Sequence, residues 1–212
     1  MRPERIITAI ERQKAHPDRV SLFVNGEFAL GMRRELVYRL QLRVGLPVTE
    51  ADLAEWEREE TRLHACDLAA KYLAQRSRSS QQVLAYLKRK EIPPEIAEAA
   101  VRYLESLGYL DDERFAADFV YNRIRSKPRG RRMICWELQQ TGVSGDTIER
   151  ALAAYEDETE AARRLIERKK FAKTGGDPAN EREIAQKIAR YLAGKGFSND
   201  TIRSILRELR KK

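Results

Sequence analysis

A run of six cations is the densest concentration of charge in the sequence. No acidic residue stands between Asp118 and Glu137, and Pro128 and Gly130 place part of the run in a turn between two helices. Like charges repel one another, so side chains that fan out from a turn suit a phosphate backbone or an acidic protein surface. A solvated helix face is the alternative that the pattern leaves open. The run consists of Arg123, Arg125, Lys127, Arg129, Arg131 and Arg132.

Trp136 follows the run and lies off the apolar stripe formed by Ile134, Cys135 and Leu138. An exposed tryptophan beside arginines can stack on a base or fill a pocket of a partner protein. Packing against a neighbouring group of helices is the other interpretation. We therefore treat Trp136 as a candidate contact residue.

Two smaller basic clusters flank predicted helices on either side of the run. If the helices repeat, the clusters would continue the run into one basic surface. Surface lysines that only favour solubility are the alternative for any single residue. The first cluster is Arg76, Arg78, Lys88, Arg89 and Lys90, and the second is Lys169, Lys170, Lys173, Lys187 and Lys195.

Residues that could support catalysis or bind a metal are not accompanied by the further catalytic groups or ligands that such a site requires. Asp111 and Asp112 stand at a predicted helix start, where carboxylates act as caps. His64 and Cys66 have no further ligands nearby, and residues 194–196 fail the phosphate-loop template. The sequence therefore predicts no catalytic site, no metal and no cofactor.

The charge balance favours an anionic partner. The net charge is +8 and the pI is about 9.6, and residues 157–212 alone carry +6 (15 basic and 9 acidic residues). The two cysteines are too few to form a framework of disulfide bonds, and no apolar run approaches the length of a membrane span. We expect a cytoplasmic, monomeric protein outside the membrane.

The first 50 residues show strand patterns that the rest of the chain lacks. Asn25 and Gly26 supply the positive-φ pair that a tight hairpin requires, and Thr49 can cap a charged helix. Strands are predicted over residues 6–11, 20–24 and 27–30, a short helix over 33–40, and a linking helix from 49.

From about Leu63 the apolar spacing is helical, and it repeats. Leu87, Leu138 and Leu192 occupy equivalent places, separated by steps of 51 and 54 residues. Gly142 and Gly196 stand where helix ends need a left-handed residue, and Ser144 and Ser198 stand where the next helices need caps. Each unit therefore reads as a three-helix bundle, with a second helix predicted over 83–90, 134–140 and 188–194.

The first and third units depart from this pattern. Glu91 stands in place of the glycine, and the segment AKTGGDPANE, residues 172–181, is predicted to be a longer loop. Capping boxes are predicted at Ser79–Gln82 and Asn180–Glu183. Because bundles of this size are marginal alone, we expect neighbouring units to stack into an elongated, curved array.

The junction LESLGYLDDERFAADFVYNRI, residues 104–124, resembles that of the RecX family. Its motif runs from Gly108 to Asp112 and continues through Arg114-Phe115-Ala116, between the first two of three repeats. The N-terminal segment is similar to the extension of longer RecX proteins at residues 10–14, 25–29 and 42–45.

The resemblance implies a non-catalytic protein that binds the filament of the RecA recombinase on DNA and modulates strand exchange and ATP hydrolysis. A direct DNA-binding protein with units similar to helix-turn-helix motifs is the alternative. The predicted organisation is mainly α, with a β-hairpin module at 1–48, a linker helix at 49–62, and three-helix repeats at 63–110, 111–156 and 157–212.

Overall fold

The computed structural model describes residues 5–155, 157–169, 171 and 178–210, without the side chains of residues 178–180. The chain forms two compact units. Unit 1 comprises Met1–Gln75 and Leu84–Ser106, and unit 2 comprises Arg76–Val83 and Leu107–Lys212. None of the helices in the described segments is long and apolar enough to cross a membrane.

Unit 1 begins with a small antiparallel sheet of strand order β3-β2-β1-β4. The predicted hairpin is confirmed, with Asn25 at φ 50° and Gly26 at φ 86° between its strands. The two-residue strand β4 was not predicted; its Pro47 is tolerated because β4 is an edge strand. The elements are β1 (Arg5–Arg12), β2 (Arg19–Val24), β3 (Glu27–Arg33), α1 (Arg34–Arg39) and β4 (Pro47–Val48).

One long helix, α2 (Glu50–Leu73), joins the sheet to the first set of helices within unit 1. The boundary predicted at residue 63, between the linker helix and the first repeat, falls inside α2, which continues to Leu73. Trp56 packs in the sheet core, whereas Ala65 and Ala69 are buried further along the helix, where α2 packs on α4. Helices α3 (Ser80–Arg89) and α4 (Pro94–Ser106) follow.

In the described part of unit 2, six further helices share one core. Ile134 and Leu138 of the second repeat lie in the same cluster of buried residues as Leu192 and Phe197 of the third. The helices are α5 (Asp112–Arg125), α6 (Arg131–Gln139), α7 (Gly145–Ala153), α8 (Thr159–Lys169), α9 (Pro178–Gly194) and α10 (Asn199–Leu209).

The predicted caps at Ser79, Ser144 and Ser198 are confirmed. Ser144 and Ser198 accept hydrogen bonds from the backbone N–H groups of Thr147 and Thr201, each at 3.2 Å. The capping box of Ser79 is also present. The loop prediction over 172–181 is wrong at its end, because α9 already begins at Pro178. The capping box predicted at Asn180–Glu183 is wrong for the same reason, since Asn180 lies inside the helix. Residues 172–177, with Lys173, and the side chain of Asn180 lie outside the described structure.

Candidate partner-binding surface

Three cations of the predicted run are bound to the protein itself. Arg123 lies 2.5 Å and Arg129 3.8 Å from carboxylate oxygens of Glu137. Arg131 donates from Nη1 to the backbone carbonyls of Leu152 and Tyr155, at the end of α7. These contacts compensate part of the charge within the fold and supply a charged donor to two backbone carbonyls at the end of α7.

The other three cations of the run are exposed to solvent. Arg125 lies over the ring of Tyr121, with its guanidinium carbon 5.2 Å from the ring centroid, and donates to the tyrosine hydroxyl. Lys127 and Arg132 extend from the turn and from the first turn of α6. Among the described residues none of these three cations forms a salt bridge, so their charge is available to a partner.

Trp136 is exposed on α6, with 56% of its surface accessible. It follows Arg132 by four residues, which places both side chains on the same face of the helix. Arg132 and Trp136 line a surface depression together with Arg131, Cys135, Gln139 and Leu152.

Two lysines of the third repeat surround an aromatic residue. The Nζ atoms of Lys169 and Lys195 lie 5.8 Å and 5.5 Å from the ring centroid of Tyr191, and Phe171 packs against the same ring. No carboxylate pairs with either lysine in the described part of the chain. Lys187 differs from these two lysines because it forms a salt bridge, with its Nζ atom 2.6 Å from a carboxylate oxygen of Glu183. Lys170 lies outside the described residues.

Two contacts bring these lysines close to the cationic turn between α5 and α6. The backbone N–H of Gly130 donates to the carbonyl of Lys195 at 3.0 Å. Arg168, at the end of α8, donates to the carbonyl of Ser126 at 3.3 Å. Sequence reasoning missed Arg168 because nothing in its spacing indicates that contact. We define the unit 2 basic surface as Arg125, Lys127, Arg132, Trp136, Arg168, Lys169 and Lys195.

The basic residues of the first repeat fall in both units. Arg76 is exposed and Arg78 half-buried before α3, in unit 2. Lys88, Arg89 and Lys90 are exposed at the end of α3, in unit 1, where Lys90 lies 5.9 Å from the ring centroid of Tyr86. A continuous surface across these residues stays a prediction.

The carboxylates considered for catalysis are engaged in helix starts. Asp111 accepts from the backbone N–H of Arg114 at 2.9 Å, and Asp112 accepts from that of Ser80 at 2.8 Å. Burial raises the pKa of the Cys66 thiol, which disfavours the reactive thiolate. Across residues 5–155, 157–169, 171 and 178–210, no group of three or more His, Cys, Asp or Glu residues could hold a metal.

Family comparisons cover both the sheet and the helices. Models of the RecX N-terminal domain and of its first, second and third three-helix domains match residues 5–49, 65–104, 111–152 and 156–206. The regulatory protein RecX of Lactobacillus johnsonii is 34% identical over 92% of this chain and 71% of its own length. The chain belongs to the RecX family.

Other RecX proteins agree with this assignment. The regulatory protein RecX of Bacillus subtilis is 28% identical over 96% of this chain and 76% of its own length, and that of Clostridium acetobutylicum is 27% identical over 97% of both. A crystal structure of regulatory protein RecX superposes with a TM-score of 0.75 and 26% identity, covering 95% of this chain and 98% of that one. The family prediction and the mainly helical fold of three-helix repeats are thereby confirmed.

Proposed function

We propose that this protein binds the RecA filament assembled on DNA and inhibits strand exchange and ATP hydrolysis, without catalysing a reaction itself. Membership of a family of regulatory proteins supports this proposal. The observation that carries it is the unit 2 basic surface, where cations around one turn have no acidic partner among the described residues, and all of them except the half-buried Lys195 are exposed. Cations in this state can bind an anionic polymer or an acidic groove without first breaking an internal salt bridge.

A filament offers many identical sites in a row, which suits a protein built from repeated units. Several weak contacts then sum through effective concentration, so filament is bound in preference to free subunits. The half-buried Cys66 and Cys135 are both free thiols, which fits action in the reducing cytoplasm. We propose that the protein acts there as a monomer.

The test is co-sedimentation with RecA assembled on single-stranded DNA, run beside strand-exchange and ATPase assays. The informative variant replaces Arg125, Lys127 and Arg132 by glutamine, because none of the three forms a salt bridge with a residue that the structure describes. We expect binding to weaken about tenfold, equivalent to about 1.4 kcal/mol. Wild-type protein that neither binds nor changes either rate would refute the proposal.

A matched control removes the same amount of charge from unit 1. Arg43, Arg58 and Lys71 are exposed and form no salt bridge in the described structure, so their replacement by glutamine lowers the net charge equally. We expect this triple variant to bind and inhibit like the wild type. Equal weakening of both variants would indicate a nonspecific effect of net charge.

Direct DNA binding is a second candidate function, favoured by the aromatic residues beside the exposed cations. Trp136 accompanies Arg132, and Tyr121 accompanies Arg125; such pairs can stack on unpaired bases. Filter binding without RecA, over a series of salt concentrations, distinguishes the two functions. Tight binding with a steep salt dependence would make DNA the primary target.

A further inference from the structure

A buried carboxylate connects the second and third repeats inside unit 2. Glu158 is only 4% exposed. One of its oxygens accepts the backbone N–H of Arg131 at 2.5 Å, and the other accepts the backbone N–H of Ser198 at 2.9 Å and the hydroxyl of Thr201 at 3.1 Å. A buried charge is costly unless hydrogen bonds replace its water, and here donors from two helix starts do so.

The two helix starts belong to different repeats. Arg131 is the first residue of α6, and Ser198 is the N-cap of α10. Both positions carry N–H groups without helical partners and the positive end of a helix dipole. One carboxylate therefore stabilises α6 of the second repeat and α10 of the third at the same time.

The backbone around Glu158 leaves little room for the repeats to shift. A Cβ atom on Gly130 would lie 2.2 Å from backbone atoms of Gly196 and Phe197, and one on Gly196 would lie 2.5 Å from Met133. The hydroxyl of Tyr155 also donates to the carbonyl of Arg129 at 3.0 Å. The α9–α10 turn is thus held against the start of α6.

A similar contact occurs at the start of α3. Asp112 accepts the backbone N–H of Ser80, and Ser79 donates its hydroxyl to the carbonyl of Thr141 at 2.5 Å. Ser80 and Arg131 are equivalent by the 51-residue step. Unit 2 therefore contains the same kind of contact twice. In each case a carboxylate at the start of one repeat's first helix accepts a hydrogen bond from a backbone N–H at the start of the preceding repeat's second helix. Glu158 differs from Asp112 in two respects: it is buried, and it also accepts hydrogen bonds from the start of α10.

We propose that Glu158 is a positioning residue that makes the cations of two repeats act as one binding surface. By fixing the α9–α10 turn on α6, it holds Lys195 beside the turn that presents Lys127. This inference rests on the proposed function, because it concerns the same surface. Without Glu158 the third repeat would still carry its lysines, but they would no longer bind the ligand together with the second repeat.

The experiment is a double-mutant cycle between Glu158→Gln and Lys195→Gln, read as affinity for RecA filaments on single-stranded DNA. Glutamine keeps the shape of the side chain but turns an NH2 group towards an N–H or O–H donor. We expect Glu158→Gln to weaken binding about tenfold, through lost effective concentration. Lys195→Gln should weaken binding in the wild-type background and have almost no effect beside Glu158→Gln.

Controls separate positioning from simple loss of fold. Glu149→Gln makes the same chemical change on an exposed residue of α7 and should bind like the wild type. Helicity and thermal unfolding show whether Glu158→Gln is folded; if it is not, Thr201→Val, which removes one donor to Glu158, replaces it in the cycle with a smaller expected effect.

The possible failures are distinguishable. Wild-type binding together with fully additive effects of the two substitutions, or unchanged binding by folded Glu158→Gln, would overturn the positioning role and leave the proposed function intact. Absence of binding by the wild type itself would instead overturn the proposed function, and this inference with it.

Discussion

Replacing Gly130 by alanine tests the packing that joins the second and third repeats. The added methyl carbon would lie 2.2 Å from the carbonyl carbon and oxygen of Gly196 and from the amide nitrogen of Phe197. These are backbone atoms, so the clash cannot be relieved by rotating a side chain. The contact must therefore open, with loss of the hydrogen bond from Gly130 to Lys195.

The expected cost follows from the overpacking and the hydrogen bond together. Inserting a methyl group into a packed contact costs about 1–3 kcal/mol, and the lost bond adds about 1 kcal/mol. The total is about 2–4 kcal/mol, and 1 kcal/mol shifts the melting temperature of a chain of this size by about 2–4 °C. Gly130→Ala should therefore melt roughly 4–16 °C below the wild type. Circular dichroism at 222 nm measures this shift.

Gly145→Ala is the matched control for this substitution. Gly145 begins α7, and a Cβ atom placed there would meet nothing within 4 Å. Alanine in a helix is favoured over glycine by up to about 1 kcal/mol, so this variant should melt at or slightly above the wild-type temperature. Equal melting temperatures for Gly130→Ala and Gly145→Ala would refute the close packing at Gly130.

Three further predictions follow from individual contacts. Arg131→Gln should lower the free energy of unfolding by about 1–3 kcal/mol in urea titrations, since it removes the charged donor to the carbonyls of Leu152 and Tyr155, whereas Arg132→Gln should leave it unchanged. Glu91→Gly should raise the melting temperature, because Glu91 adopts φ 60° and a left-handed conformation costs a side-chain-bearing residue about 1 kcal/mol. Hydrogen bonding by Arg62 lowers the pKa of Glu59 to about 2. The ionised Glu59 should therefore stabilise the fold fully above pH 4.5, and this contribution should disappear as the pH falls towards 2. Glu59→Gln should flatten the acid-unfolding curve over that range.

Local chemistry was sufficient to predict most of the elements. Asn25-Gly26 predicted the hairpin because few other pairs accept positive φ at both positions. Ser144 and Ser198 predicted helix starts because their hydroxyls satisfy free N–H groups. Strand β4 escaped prediction because two residues are too few for a periodic pattern. The boundary predicted at residue 63, between the linker helix and the first repeat, lies inside α2, which keeps its helical period there.

The sequence located the cationic run, but it could not show which of its cations bind within the protein and which are exposed. Arg131 and Arg132 are adjacent and chemically identical, yet one caps α7 and the other is exposed. Arg131 binds backbone carbonyls, which every residue has, so no residue type in the sequence indicates its partners. Glu137 was visible as the acid that ends the run, but its pairing with Arg123 depends on how α5 and α6 pack.

The turns between second and third helices show how packing decides which residue a repeat can tolerate. Gly142 and Gly196 have positive φ, and a Cβ atom on either would lie 2.5 Å from Gln81 or Met133 respectively. Glu91 also has positive φ, but its turn accommodates a full side chain. A left-handed turn alone therefore disfavours a side chain without excluding it, whereas a left-handed turn covered by an earlier helix requires glycine. The glycine in such a turn is thus a marker of stacking between repeats, and its replacement by glutamate marks a turn that has room for a side chain.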